Sequence, residues 1–267
     1  MEGRTRIGLV AGQGNLPVEV LKEVRENGLR SFVVGLKGEC LPQIREYADD
    51  FAGISVGSLG KMIEYFKTNE VSEIVMAGKV NKDSLFKAEF DPVFQEVLRS
   101  LPEKNDDAIL LGVVKAYEKN GIRVLKQTEY LKHLLAKPGA LSGELDAQEL
   151  TDVQLGFRTA KAIGGLDIGQ TVVVKHGVIL AVEAIEGSDQ AIIRGGQLGG
   201  PGAVVVKVSK PEQDERFDVP TVGLSTMESI AKVRGAVLGI EAGKTFVVDR
   251  EQVLEKAARD NIKVFAV

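Results

Sequence analysis

The chain has 267 residues, 44% of them hydrophobic and 27% charged, with a net charge of −4 and a pI near 5.5. That acidic balance excludes a nucleic-acid surface, because phosphate backbones require a basic face, and the length suits two domains with proper cores. The lone Cys40 excludes an intramolecular disulfide and fits a reducing compartment, while the first apolar run is too short for a signal peptide or a membrane span. The expectation is a cytoplasmic protein whose membrane contact, if it has one, is peripheral.

Residues 6–10 (RIGLV) read as a buried strand, followed by the turn AGQGNLP. Leu16, Val20, Leu21 and Val24 then repeat at helical spacing, with Pro17 in the first turn. Strands are expected at 31–36, near Phe51–Val56, at 73–78 and at 122–125. Between them, Leu59, Met62, Ile63 and Phe66 mark a helix at i, i+3, i+4 and i+7, and 92–98 and 105–119 are two more. Strands alternating with helices predict a Rossmann-like, doubly wound parallel sheet over residues 1–131.

Residues 132–150 break that rhythm with Pro138, Gly139, Ser142 and Gly143, and read as a linker. Residues 151–267 predict a second, mixed α/β domain. Thr151 opens a helix with Gln154 as its capping-box partner, and TVVVK and GVILAVEAI form a hairpin about His176–Gly177. A strand at 203–208, a helix opened by Ser225 with Glu228 in its box, and a strand–helix–strand follow. No fixed-period repeat is present.

Gly12-x-Gly14 resembles the opening of a dinucleotide fingerprint, in which turn N–H groups approach a phosphate. Pro17 stands where the third glycine belongs, and Leu36 and Lys37 stand where a ribose-binding acid belongs, which argues against NAD. The turn Gly12, Gln13, Gly14, Asn15, Leu16 and Pro17 is left as either a phosphate or nucleotide contact or a turn needed only for packing. GIEAGKT at 239–245 is no P-loop, having three residues between its glycines and running into a strand. Asp106 and Asp107 are either the cap and first-turn acid of a helix or carboxylates that orient a sugar hydroxyl or a metal-bound water. His133 and His176 have metal-ligand spacing to nothing, so zinc and Ser-His-Asp chemistry are poor readings.

The densest chemistry lies between Glu183 and Gly223, where acids alternate with Arg194, Lys207, Lys210 and Arg216 beside short apolar strands. Oxygen ligands next to Arg and Lys are what holds a hard divalent cation against a phosphate. Strand alternation places Glu183 on the face of Ile179, Ala181 and Ile185, so its carboxylate needs a cation or several donors; a salt bridge to Arg194 or Lys175 competes with a metal. Asp189 follows Gly187 and Ser188 at a helix start, where capping competes with ligand binding. Pro211 and Pro220 make the segment between them extended, which puts Asp214, Arg216 and Asp218 on one side as a row able to grip a metal ion and a phosphate.

Four separated motifs then carry a resemblance: IGLVAGQGNLP, NDDAILLGV at 105–113, the run at 167–196 through VEAIEGSDQAIIRGG, and VKVSKPEQDERFDVPTVGLST at 206–226. Together they resemble the LpxI-type UDP-2,3-diacylglucosamine pyrophosphatases of lipid A biosynthesis, over nearly the whole chain. The resemblance implies a Rossmann-like N-terminal domain, a distinct C-terminal domain and a lipid-linked substrate held between them. It also implies Mg²⁺-dependent hydrolysis to UMP and 2,3-diacylglucosamine 1-phosphate, with attack at the phosphorus nearer the sugar. Carried onto this chain, it places the family's acidic metal-and-catalysis segment on Asp214 and Asp218, Asp218 first, and matches the Glu183–Asp189 run to a Glu-Gly-small-Asp motif. Together with Glu183 from the residue reading, Asp218 and Asp214 are the expected ligands of Mg²⁺, with Mn²⁺ as an alternative ion. Asp218, Asp214, Arg216, Arg194 and Lys207 are the expected catalytic set. Gly12–Pro17, Asp106, Asp107 and the Gly187-Ser188-Asp189 run are the expected substrate contacts. The acyl chains need an apolar surface, in a cleft or between the subunits of a homodimer. Three rival readings are a hydrolase or transferase of another nucleotide-sugar, a non-catalytic nucleotide-sugar binder and, weakened by the missing glycine and acid, an NAD-dependent oxidoreductase.

Overall fold

The computed structural model describes residues 5–102 and 105–267, the side chains of Lys82, Asp83, Phe86 and Asp106 excepted. The chain forms two compact units, Met1–Leu131 with Glu215–Phe217, and Lys132–Asp214 with Asp218–Val267. Among the described residues no helix is long and apolar enough to cross a membrane.

In the first unit, β1 (Arg6–Ala11), α1 (Leu16–Glu26), β2 (Arg30–Leu36), α2 (Ile44–Tyr47), β3 (Asp50–Ile54) and α3 (Leu59–Thr68) come first. β4 (Glu73–Ala77), α4 (Lys82–Lys87), α5 (Pro92–Ser100), α6 (Asp106–Lys119), β5 (Arg123–Val124) and α7 (Gln127–Tyr130) follow. The strands form one parallel sheet in the order β3-β2-β1-β4-β5. Helices cover it on both faces, so β1 and β2 are near-continuous apolar runs rather than alternating ones. Phe66, Ile74, Val97, Val114 and Tyr117 anchor the core on the α3–α5–α6 side, and Phe217 packs against it.

The second unit opens with a 3₁₀ turn (Lys132–Leu134), then β6 (Gly139–Ser142), α8 (Ala147–Gly165), β7 (Thr171–Lys175), β8 (Val178–Val182), α9 (Ser188–Gly199) and β9 (Val204–Lys207). β10 (Thr221–Val222), α10 (Leu224–Lys232), β11 (Val237–Ile240), β12 (Phe246–Val247), α11 (Arg250–Arg259) and β13 (Lys263–Ala266) complete it. Its six-stranded sheet runs β6-β13-β11-β9-β7-β8, with β9, β11 and β13 parallel and β6 and β7 antiparallel to their neighbours. The protein is therefore α/β, with a parallel-sheet unit followed by a mixed-sheet unit.

Three local expectations change. Residues 132–150 are no linker, because β6 pairs antiparallel with β13 and forms one edge of the second sheet. The helix expected from Thr151 begins at Ala147, where Asp146 accepts from Glu149 N–H and Glu149 returns a bond to Asp146 N–H. α10 starts at Leu224 behind Gly223 without a side-chain cap, rather than behind Ser225. The β7–β8 hairpin forms about His176 and Gly177, both at positive φ (49° and 77°), as a two-residue turn requires. The buried carboxylate of Asp152 on α8 accepts both turn N–H groups, at 2.8 and 2.7 Å.

Candidate active site

Ligands of open α/β sheets gather beyond the carboxyl ends of parallel strands. In the second unit the registers Thr171↔Lys207, Val172↔Val182, Lys207↔Ile240 and Ile240↔Ala266 bring one edge together. β8, β9, β11 and β13 end there, and β7 starts there. That edge collects Glu183, Lys207, Ser209 and Glu241, and Lys161 reaches it from α8. Glu241 accepts from Ser209 N–H at 2.8 Å and from Lys161 Nζ at 3.1 and 3.2 Å, while Lys161 also donates to Ser209 O at 2.7 Å. Lys207 Nζ donates to Thr221 O at 3.1 Å.

Glu183 is 9% exposed, and neutral donors hold it rather than a cation. Its carboxylate accepts from Ser188 O–H at 3.0 Å and from Gln170 N–H at 3.2 Å, and Thr171 O–H donates to Ser188 Oγ at 3.0 Å. Gly169 makes this possible by close approach, since a Cβ there would sit 2.3 Å from Glu183 O. Neither expected salt bridge forms: Arg194 pairs with Glu186 and donates to Val182 O, and Lys175 donates to Gly199 O and Pro201 O. Beside that guanidinium the Glu186 carboxyl is held below the usual carboxylate range. Nor does the apolar face continue, for β8 stops at Val182 and Ile185 is exposed. Gln170 Oε1 is buried with no donor, an acceptor that costs free energy until something donates to it.

The loop after β9 carries Asp214, Arg216 and Asp218, and it is not extended. Asp218 N–H donates to Asp214 O at 3.0 Å, closing an i→i+4 turn that brings the two aspartates together by helical rather than strand spacing. Gln213 fixes the turn by donating from Nε2 to Asp218 Oδ2 while its Oε1 accepts from Lys210 N–H at 2.8 Å. Lys210 Nζ reaches Asp167 at 2.7 Å, and Arg216 donates to Glu118 at 3.2 Å. Among the described residues no three His, Cys, Asp or Glu side chains converge on one point, so Glu183 does not join Asp214 and Asp218 in a three-carboxylate cage. Ser188 belongs to the Glu183 network, Asp189 accepts from Ser229 O–H at 3.0 Å, and Gly187 (φ 80°) turns the chain into α9.

In the first unit part of the Gly12–Pro17 turn is engaged in packing. Gly12 N–H donates to Ala77 O at 2.9 Å and Gln13 N–H to Lys79 O at 2.7 Å, so two N–H groups expected for a phosphate are engaged. A Cβ on Gly12 would lie 2.4 Å from Lys79 O, and one on Gly78 would lie 2.6 Å from Gln13 O. Gln13 Nε2 donates at 2.6 Å to the buried Glu39, which also accepts from Asn81 N–H at 3.2 Å. Asn15 precedes α1 and accepts from Val18 and Glu19 N–H, with Leu16 and Pro17 in the first turn. Asn105, rather than an aspartate, caps α6; Asp107 lies half-buried in its first turn, and the Asp106 side chain lies outside the described residues. Under the carboxyl ends of β1, β2 and β4, the sheet and α3, α5 and α6 enclose a cavity of about 270 Å³. Met62, Met76, Phe94, Val113 and Tyr117 line its depth, and Lys79 and Asn81 stand at its rim.

Lys161, Glu241, Gln170 and Glu39 went unmarked in the sequence. Glu241 follows the apolar run VLGI and Lys161 borders the stripe of Val153 and Ala160, so a charge directly after a buried strand or beside a buried stripe was the available signal.

Two family models match the chain: "LpxI N-terminal domain" over residues 6–134 and "LpxI C-terminal domain" over residues 137–265. The chain is 33% identical over 276 residues to the UDP-2,3-diacylglucosamine pyrophosphatase LpxI of Caulobacter vibrioides, covering 98% of this chain and 96% of that relative. Among solved structures, the biotin carboxylase subunit of a pyruvate carboxylase matches at TM-score 0.28 and 13% identity, over 62% of this chain and 34% of that one. The biotin carboxylase domain of Hydrogenobacter thermophilus 2-oxoglutarate carboxylase matches at TM-score 0.29 and 14% identity, over 67% and 36%. The chain spans about a third of the length of those two structures, and similarity at that level says nothing further about fold or chemistry.

Proposed function

Because the chain belongs to the LpxI family, we propose that it hydrolyses the pyrophosphate of UDP-2,3-diacylglucosamine, with Mg²⁺, to UMP and 2,3-diacylglucosamine 1-phosphate. One observation carries the reading: the match to a pyrophosphatase of that name runs through both units and nearly end to end. A lipid-linked substrate makes peripheral contact with the inner membrane surface part of the same proposal.

The donor set suits a magnesium ion of the usual kind, which takes one or two carboxylates, keeps several waters and completes its shell on substrate phosphates. Asp218 and Asp214, joined by one turn, are the residues that would hold it; Glu183, already engaged by Ser188 and Gln170, braces the β8 end instead. When bound, the ion neutralises charge that develops on the phosphates and lowers the pKa of a coordinated water. Gln213 orients Asp218 by its hydrogen bond, which keeps that carboxylate from rotating away. Lys207 supplies positive charge at the carboxyl edge without depending on proton transfer, whereas the charge of Lys161 is compensated there by Glu241. Gln170 Oε1 offers an acceptor for a substrate hydroxyl or imide N–H. Arg194, paired with Glu186, has its charge partly compensated and is the weaker phosphate partner.

The test is turnover of UDP-2,3-diacylglucosamine in heavy-oxygen water, with EDTA and with Mg²⁺ or Mn²⁺ restored. Label in the lipid phosphate, with activity lost to EDTA and regained with metal, is the expected result. Label in UMP would move the attack to the other phosphorus, activity in EDTA would remove the metal, and binding without turnover would favour a nucleotide-sugar binder.

A further inference from the structure

Interiors of folded domains leave few voids larger than a water molecule, so the cavity under the first sheet's carboxyl edge is a retained feature. At about 270 Å³ it approaches the ~300–1,000 Å³ of ordinary small-molecule sites. Its polarity is graded. The exposed Lys79 and Asn81 flank the rim, with Val80 at 38% exposure. Inward, the wall is hydrocarbon from Leu59, Met76, Phe94 and Val113. Leu59, Met62, Phe94 and Tyr117 are among its most buried lining residues, and the Tyr117 hydroxyl is directed at Met62 Sδ at 3.5 Å.

A uracil ring would bring two carbonyls and an N–H against a wall whose inward polar side chain, Tyr117, offers one hydroxyl already directed at Met62 Sδ. Most of those groups would stay unpaired, a costly placement. A hydrocarbon chain brings no polar atom and leaves its polar head at the rim beside Lys79 and Asn81. We infer that this cavity receives one acyl chain of the substrate, and that Met62 and Tyr117, which meet in its buried lining, limit the longest chain accepted. The inference rests on the proposed reaction for the identity of the chain's owner, and on the cavity itself for the chain.

The test measures kcat/KM over a homologous series of UDP-diacylglucosamines with lengthening acyl chains, for the wild type, Met62→Ala and Val113→Phe. Wild-type kcat/KM should rise roughly fourfold per buried methylene and then fall once the cavity is filled. Met62→Ala should move the maximum to longer chains and Val113→Phe to shorter ones. Identical length profiles in folded variants would overturn the assignment, and Leu110→Phe replaces Val113→Phe should the latter fail to fold. Absence of turnover for every length in the wild type would instead defeat the proposed reaction. Binding of a dansyl-labelled fatty acid then decides the cavity separately. Weaker binding in Val113→Phe, with no displacement by UDP, retains it as a chain site; equal binding in all variants, or displacement by UDP, removes it.

Discussion

The two sheets end in opposite chemistry at the same topological position. At the first sheet's carboxyl edge the strands run into Gly12 and Gly78, whose lack of a side chain lets two loops lock together over an apolar cavity. At the second sheet's edge they run into Lys207, Ser209, Glu183 and Glu241, so charge sits where the first unit has hydrocarbon. The edge of an α/β sheet thus offers a place and leaves its use to the one or two residues after each strand. Glycines there let loops pack across the edge, and short polar and charged residues fill it with hydrogen bonds and ion pairs.

Asp218→Asn breaks the comparison most sharply. If the loop that follows β9 carries the chemistry, losing one of its carboxylates removes several kcal/mol of transition-state stabilisation, roughly a thousandfold in kcat. The partly exposed side chain should leave the thermal midpoint close to that of the wild type. Steady-state kinetics beside a thermal melt checks both, and equal loss of activity and stability would make Asp218 structural. Gly12→Ala probes the other edge and should do the reverse. Its Cβ meets Lys79 O at 2.4 Å, so stability should drop by ~1–3 kcal/mol through overpacking while the folded fraction keeps most of its kcat. Chemical denaturation measures the drop; unchanged stability with a raised KM would return the turn to a phosphate role.

The smallest expected effect sharpens the charged edge alone. Hydrogen bonding from Arg194 depresses the folded-state pKa of Glu186, so its contribution to stability is present above the ordinary value of 4.5 and is lost as pH falls through the folded value. A shallow acid-side decline in thermal midpoint, absent in Glu186→Gln, is the expected readout. An identical profile in both proteins would mean that this exposed pair contributes nothing measurable.

Much of this was legible from pattern alone, and where it was not, the reason is physical. The parallel sheet shows itself in apolar runs of strand length alternating with stripes such as Leu59, Met62, Ile63 and Phe66. The hairpin shows itself in Gly177 between two apolar runs, since glycine takes a positive φ without steric cost. β6 is hidden because GALS sits among Pro138, Gly139 and Gly143, and its partner β13 lies at the far end of the chain. The turn from Asp214 to Asp218 was misread as extended because the prolines at its flanks restrict only their immediate neighbours. Glu183 was recognised as a carboxylate needing donors, but those donors come from Gly169's close approach and from Ser188, which no periodicity reveals. The cavity was invisible for a related reason, since each lining residue reads as ordinary core and only the packing leaves them apart.

Glu215–Phe217 belongs to the first unit although the second unit's chain surrounds it in sequence, and Phe217 contributes to the cavity wall. During synthesis the first unit therefore leaves the ribosome unfinished. Its sheet can pair as soon as β5 emerges, but the last piece of its lining arrives only after α8, α9 and β9 have been made. Domains generally fold as they are completed, N-terminal first. Here completion of the earlier one waits on translation of most of the later one, and a gene cut after Leu131 would encode a sheet without its full wall.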